Sequence, residues 1–189
     1  SLCDLAGFLC AEAGGAQWGM PTRLLLISDT HIGQRARQLP DELWDAIESA
    51  DLVLHAGDWV NLTIFEELTA RSRALLGVYG NNDGPELRAV LPEVARATID
   101  GIRFAMIHET GAATGRPKRA DRAFPDTDVL VFGHSHIPWD TVSPAGMRLL
   151  NPGSPTDRRR QPAGTYLTAM ADAGRLTEVN LVALPARQR

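Results

Sequence analysis

Apolar residues come in short runs along this chain, and most runs end at a polar residue of a restricted kind. Leu24-Leu25-Leu26-Ile27 has no polar interruption, which predicts a strand buried on both faces, stopping at Ser28-Asp29. Residues 39–49 place Leu39, Leu43, Trp44 and Ile47 at helical spacing. Asp51 to Leu54 reads as a second buried strand, 62–72 as a helix, Ala74 to Tyr79 as a third strand, and 85–91 as a short helix with Pro85 in its first turn. Strand, helix, strand, helix, strand is the pattern of βαβ units and a parallel sheet.

After residue 92 the pattern changes. Residues 94–99 and 102–107 flank Asp100-Gly101, a strong hairpin signal. The run Asp128 to Phe132 ends at Gly133, and segments near 139–143, 147–150, 165–171 and 175–182 read as strands between Gly, Pro and Asp turns. The segment after His108, with Arg116, Lys118, Arg119 and Arg122, reads as a loop. There is no internal repeat and no linker-like stretch, so the expectation is one α/β domain.

Residues 1–20 stand apart. The first basic residue is Arg23, and Asp4 and Glu12 interrupt the early apolar positions, so the segment does not read as a secretory signal. It reads as a tail or extension, with 21–189 as the folded domain. Both cysteines, Cys3 and Cys10, fall in it, leaving no disulfide framework or thiolate metal site in the body of the chain. That usage fits a reducing cytoplasm. No run of about 18 apolar residues exists, so no membrane span is expected. The 189 residues carry 19 Lys and Arg against 23 Asp and Glu, a formal net charge of -4, which argues against bulk nucleic-acid binding. A homo-oligomer is left open.

The candidate chemistry sits where the apolar runs stop. Asp29 and His31 follow the first strand, Asp58 the second, and Asn81 the third in Gly80-Asn81-Asn82-Asp83. His108 ends the second hairpin strand, and His134 and His136 follow the next run as Gly133-His134-Ser135-His136. The fifth histidine, His55, lies inside or at the edge of a strand. In open α/β sheets, the loops at strand carboxyl ends converge on the site. Singly, Asp-x-His, Gly-Asp and Gly-Asn-Asn-Asp are turn chemistry. Gly-His-Ser-His is sharper, and the four in order point to one centre. Carboxylate, imidazole and amide oxygen together suit divalent Mn, Fe, Co, Ni or Zn, and one carboxylate can bridge two such ions. Gly57 and Gly133 would let the backbone pass close to the metals.

Ser28-Asp29-Thr30-His31, Ala56-Gly57-Asp58, Gly80-Asn81-Asn82-Asp83, His108 and Gly133-His134-Ser135-His136 resemble the ordered motifs of the calcineurin-like metallophosphoesterases. The short chain, with Asn151-Pro152-Gly153-Ser154, is most similar to the small bacterial and archaeal phosphodiesterase branch, itself similar to the eukaryotic retromer subunit. The resemblance implies a metallo-dependent phosphatase-type sandwich of two mixed β-sheets flanked by helices over 21–189. It implies two divalent ions, manganese first: Asp29, His31 and His136 on one, Asn81, His108 and His134 on the other, Asp58 bridging. Asp58 and His108 are assigned to the reacting centre.

Two departures matter. Related monoesterases commonly carry a proton-donating His where this chain has Asn82. The family often has Gly where this chain has Glu109. Asn82 cannot give up a proton, so phosphodiesters with good leaving groups are favoured over monoesters. The expected substrate is a phosphate-ester small molecule or nucleotide, attacked by water activated between the ions. Asn82 and Arg158 are the candidate substrate contacts, while the remaining basic residues read as solvated surface. Trp139 is read equally as a stacking platform or as core. Two other readings remain, a monoesterase of the same fold and a protein-binding scaffold that has lost catalysis.

Overall fold

The computed structural model describes residues 20–185, so residues 1–19 of the expected tail, with Cys3 and Cys10, lie outside the described residues. Within them, strands β1 (Thr22–Ile27), β2 (Leu52–His55) and β3 (Leu75–Gly77) alternate with helices α1 (Asp41–Ser49) and α2 (Leu62–Arg71). Helix α3 (Pro85–Val90), the hairpin β4 (Val94–Ile99) and β5 (Ile102–Ile107), and helix α4 (Arg116–Ala123) follow. Strands β6 (Val129–Val131), β7 (Trp139–Val142), β8 (Arg148–Asn151), β9 (Thr165–Asp172) and β10 (Arg175–Ala183) complete the order.

The strands form two mixed five-stranded sheets, ordered β10-β9-β1-β2-β3 and β4-β5-β6-β8-β7. In the first sheet β1, β2 and β3 are parallel, with β9 antiparallel to β1. In the second, β5, β6 and β8 are parallel, with antiparallel β4 and β7 at the edges.

Successive residues on a strand point to opposite faces, and this explains the unbroken apolar runs. Leu24, Leu26, Leu52 and Leu54 face Phe104, Met106, Val129 and Val131 of the other sheet across the central core. Leu25, Ile27 and Val53 face outward onto Leu43, Trp44 and Ile47 of α1 and Ile64 and Leu68 of α2. On the far side, Ala105, Leu130 and Leu149 pack with Ala120 and Phe124. The result is helix, sheet, sheet, helix. Truncating a buried leucine such as Leu26 to Ala in this core costs about 2–5 kcal/mol.

The hairpin turn forms as expected, with Asp100 at φ 46° and Gly101 at φ 82°, the left-handed pair that a two-residue turn needs. Asn61 caps α2 by accepting from the Ile64 N–H at 3.0 Å, and donates to the Ile32 carbonyl at 2.9 Å, tying the helix to the loop after β1.

One expected loop is instead a helix. RPKRADRA lacks apolar periodicity, so its pattern concealed α4, which buries only Arg116 and Ala120. Arg116 is also not solvated surface. The residue is 6% exposed, and its guanidinium carbon lies 4.8 Å from the Phe132 ring centroid and 4.7 Å from that of Trp139. Aromatic faces stabilise a cation that has left water. Trp139 therefore serves as the wall of this packing, and its indole donates to Thr141 Oγ1 at 2.8 Å. The third strand is shorter than its apolar run and stops at Gly77.

Candidate metal centre

The carboxyl ends of β1, β2, β3, β5 and β6 feed five loops into one place, and all seven predicted ligand residues lie on them. Backbone conformation there is unusual. Among the described residues ten non-glycine residues have positive φ, and six of them are Asp29, His31, Asp58, Val60, His134 and His136. A left-handed conformation costs an L-residue about 1–2 kcal/mol, so such a concentration persists only where surrounding contacts over-determine it.

Those contacts are specific. Ser28 Oγ donates to Asp29 Oδ2 at 2.7 Å, and the His134 amide donates to the same oxygen at 3.0 Å. A Cβ on Gly133 would collide with Ser28 Oγ and lie 2.8 Å from Asp29 Oδ2. A Cβ on Gly57 would lie 2.7 Å from His108 Nδ1. The glycines thus permit close approach of these loops to the Ser28, Asp29 and His108 side chains.

Asp29, His31 and His136 form one cluster. His136 Nε2 is 3.2 Å from Asp29 Oδ1 and 3.3 Å from His31 Nε2. Asn81, His108 and His134 form a second, with His134 Nδ1 at 2.8 Å and His108 Nε2 at 3.1 Å from Asn81 Oδ1. Asp58 Oδ2 stands between them, 3.5 Å from His31 Nε2 and 3.4 Å from His108 Nε2. Asp29 also belongs geometrically with Asp58 and His108, so both carboxylates reach both clusters.

Counting protons shows what this arrangement accepts. A backbone carbonyl only accepts, so His108 Nδ1 must donate to Ala56 O (2.7 Å) and His136 Nδ1 to Asp157 O (2.6 Å). A neutral imidazole then turns a lone pair, at Nε2, toward carboxylate and amide oxygens that are also acceptors. No hydrogen bond of acceptable geometry reaches the buried Asp29 Oδ1 or His31 Nδ1. Either protons or a metal cation must separate these lone pairs. Burial disfavours the His108 imidazolium, yet Asp58 and Asp29 outweigh it and raise the His108 pKa. His136 is raised in the same way, burial being outweighed by Asp29. Burial lowers His31 despite Asp58 and Asp29. Burial also opposes ionisation of Asp58, but His108 and Asn82 hold it well below the usual carboxylate range. The donor set fits divalent cations.

Several further residues position the candidate ligands, a role that their sequence motifs did not reveal. Asp83 is 3% exposed and accepts backbone N–H groups from Asp58 (3.0 Å), Gly80 (2.7 Å) and Val60 (2.7 Å). It clamps the loop after β2 to the loop after β3. Asn151 donates to the Gly133 carbonyl at 2.8 Å, and Ser154 Oγ to the Asp29 carbonyl at 2.7 Å. Thr156 Oγ1 donates to the Thr30 carbonyl at 2.6 Å. Asn151-Pro152-Gly153-Ser154 thus locks two ligand loops together. His55 Nδ1 accepts from the Gly57 amide at 3.2 Å, which leaves the proton on Nε2 for Thr30 Oγ1 at 3.1 Å. Burial and nearby His108 push the His55 pKa well down. Its ring stacks 3.5 Å from Trp59, centroid to centroid.

The two candidate substrate contacts are placed differently. Asn82 Nδ2 donates to Asp58 Oδ2 at 2.7 Å and its amide to Asp58 Oδ1 at 2.8 Å, so the side chain orients the central carboxylate. Arg158 is exposed and donates to the Gln161 carbonyl at 2.6 Å within its own loop. A cavity of about 190 Å³ opens beside Asn81 and His108, walled by Tyr79, Arg88, Glu93 and Glu109.

The chain is similar to known proteins over most of its length. The profile of the calcineurin-like phosphoesterase superfamily domain matches residues 22–174. A probable metallophosphoesterase of Methanothermobacter thermautotrophicus is 35% identical over 133 residues, 69% of this chain and 76% of that protein. The solution structure of a Thermotoga maritima protein is 35% identical, with a TM-score of 0.69 over 86% of this chain and 99% of that one. Vps29 of Entamoeba histolytica, solved in complex with zinc, shares the fold at 20% identity and a TM-score of 0.70, over 86% of this chain and 98% of that one. Among the described residues no helix is long and apolar enough to cross a membrane.

Proposed function

The chain belongs to the calcineurin-like phosphoesterase superfamily, and from that premise we propose that it is a phosphodiesterase working with two divalent metal ions. Asp29, His31 and His136 would hold one ion and Asn81, His108 and His134 the other, with Asp58 shared between them. The observation that carries this reading is the meeting of the two clusters at Asp58 Oδ2, with His108 Nε2 at 3.4 Å and His31 Nε2 at 3.5 Å.

When bound, two such ions make hydroxide available near neutral pH and offset charge on the phosphoryl oxygens. The protein's own part is positional. Ala56 and Asp157 carbonyls aim the Nε2 atoms of His108 and His136 inward. Asn82 fixes the Asp58 carboxylate, and Ser28 and the His134 amide fix Asp29. No side-chain nucleophile is required. Asn82 offers no proton to a leaving oxygen, so esters whose leaving group is already stable are favoured, and aryl diesters are therefore favoured over alkyl monoesters. Manganese is the first choice of ion, and the set also accepts iron, cobalt, nickel or zinc. The alternative is a protein-binding scaffold of the same fold that has lost catalysis, and the complete donor set of the two clusters argues against it.

The test is metal analysis of reconstituted protein with assays on matched mono- and diesters. Two ions per chain and faster hydrolysis of aryl diesters are expected. One ion at saturation sinks the two-ion assignment, and faster cleavage of alkyl monoesters replaces the diesterase reading with a monoesterase.

A further inference from the structure

His134 differs from its neighbours in the nitrogen it turns inward. His108 and His136 give Nδ1 to a backbone carbonyl and present Nε2 to the cluster. His134 presents Nδ1, 2.8 Å from Asn81 Oδ1, and its ring stands nearly perpendicular to that of His108, at 88°. Its Nε2 therefore points outward, where Glu109 Oε1 lies 3.8 Å away. The two side chains are 44% and 55% exposed, so this imidazole is much less enclosed than the other three.

We propose that Glu109 is the positioning residue of His134. It accepts the Nε2 proton, keeps the Nδ1 lone pair aimed at the site shared with Asn81 and His108, and strengthens that nitrogen as a donor to a divalent cation. The inference rests on the metal reading above. A ligand imidazole whose outer N–H meets a carboxylate is held in one tautomer and one orientation. At 3.8 Å the pair lies outside hydrogen-bond range in this conformer, so the contact requires the half-exposed Glu109 side chain to rotate inward to roughly 3 Å. His108 and His136 have backbone carbonyls for this task. His134 has Glu109 instead.

Loss of such an outer carboxylate typically weakens metal binding about 10–100-fold. Exposure and salt screening place the effect here at the lower end, about tenfold on one ion only. The experiment is calorimetric titration with Mn²⁺ of wild type, Glu109→Ala, Glu109→Gln and Glu93→Ala. Glu93 borders the same cavity and tests whether local negative charge alone is responsible. In Glu109→Ala one ion is expected to bind about tenfold more weakly and the other unchanged. Glu109→Gln, which still accepts from Nε2, should fall between, and Glu93→Ala should match wild type. The gap between wild type and Glu109→Ala should shrink at about 1 M salt, which a purely structural defect would not do. Wild type binding two ions while Glu109→Ala retains both affinities overturns this inference and leaves the metal reading standing. An equal loss in Glu93→Ala also overturns it. Wild type binding fewer than two ions overturns both.

Discussion

Replacing Asp83 with Asn removes one negative charge and changes one acceptor into a donor, with almost no change in shape. In the structure Oδ2 serves two buried amides, those of Asp58 and Gly80, and Oδ1 serves Val60. An amide oxygen placed on the first pair leaves the NH₂ group facing the Val60 N–H. Donor against donor costs about 1–3 kcal/mol, and the two retained bonds lose charge assistance worth about 1 kcal/mol each. Part of this is returned, because burial raises the Asp83 pKa despite the three amides, so the native carboxylate carries a desolvation cost that Asn escapes. The net expectation is about 2–3 kcal/mol, or roughly 5–10 °C in Tm for a domain of this size. Val60 (φ 84°) and Asp58 (φ 61°) are held left-handed through these bonds, so the loop should relax and Mn²⁺ affinity fall about tenfold. Thermal melting and calorimetry on Asp83→Asn test both parts. A Tm within about 2 °C of wild type together with unchanged Mn²⁺ affinity refutes the clamp.

Asp58→Asn should abolish turnover while the circular dichroism spectrum is preserved, since a neutral amide bridges two cations poorly, and wild-type activity would mean the centre is elsewhere. Asn82→His should raise monoester relative to diester hydrolysis, measured with one metal throughout, and an unchanged ratio would disprove the leaving-group argument. In the metal-free protein His108 and His136 are raised above the ordinary 6.5, so their contribution to stability is complete below that value and is lost as pH rises through the raised native values. Metal ions must displace those protons, so Mn²⁺ affinity should rise with pH across that window, about tenfold per pH unit for each proton released. Affinity that stays flat from about pH 6 to about pH 8 would contradict this assignment of protons.

Much of the architecture is legible in the chain because it follows from local periodicity. Unbroken runs such as Leu24–Ile27 are strands buried on both faces, and Asp100-Gly101 is the turn its two residues dictate. All seven proposed ligands follow from position at run ends plus residue type, because a parallel sheet delivers those ends to one place. Helix α4 was not legible, since Arg116 occupies a buried place that periodicity reserves for apolar side chains. Nor was the direction of Asn82 toward Asp58, the three amides on Asp83, or the outward Nε2 of His134. The sequence by itself determined which residue types stand at which strand ends, and hence the chemistry of the site. Only the tertiary structure decided which atom each side chain presents and what holds it there, because those choices depend on carbonyls, amides and rings brought from loops 25 to more than 100 residues away.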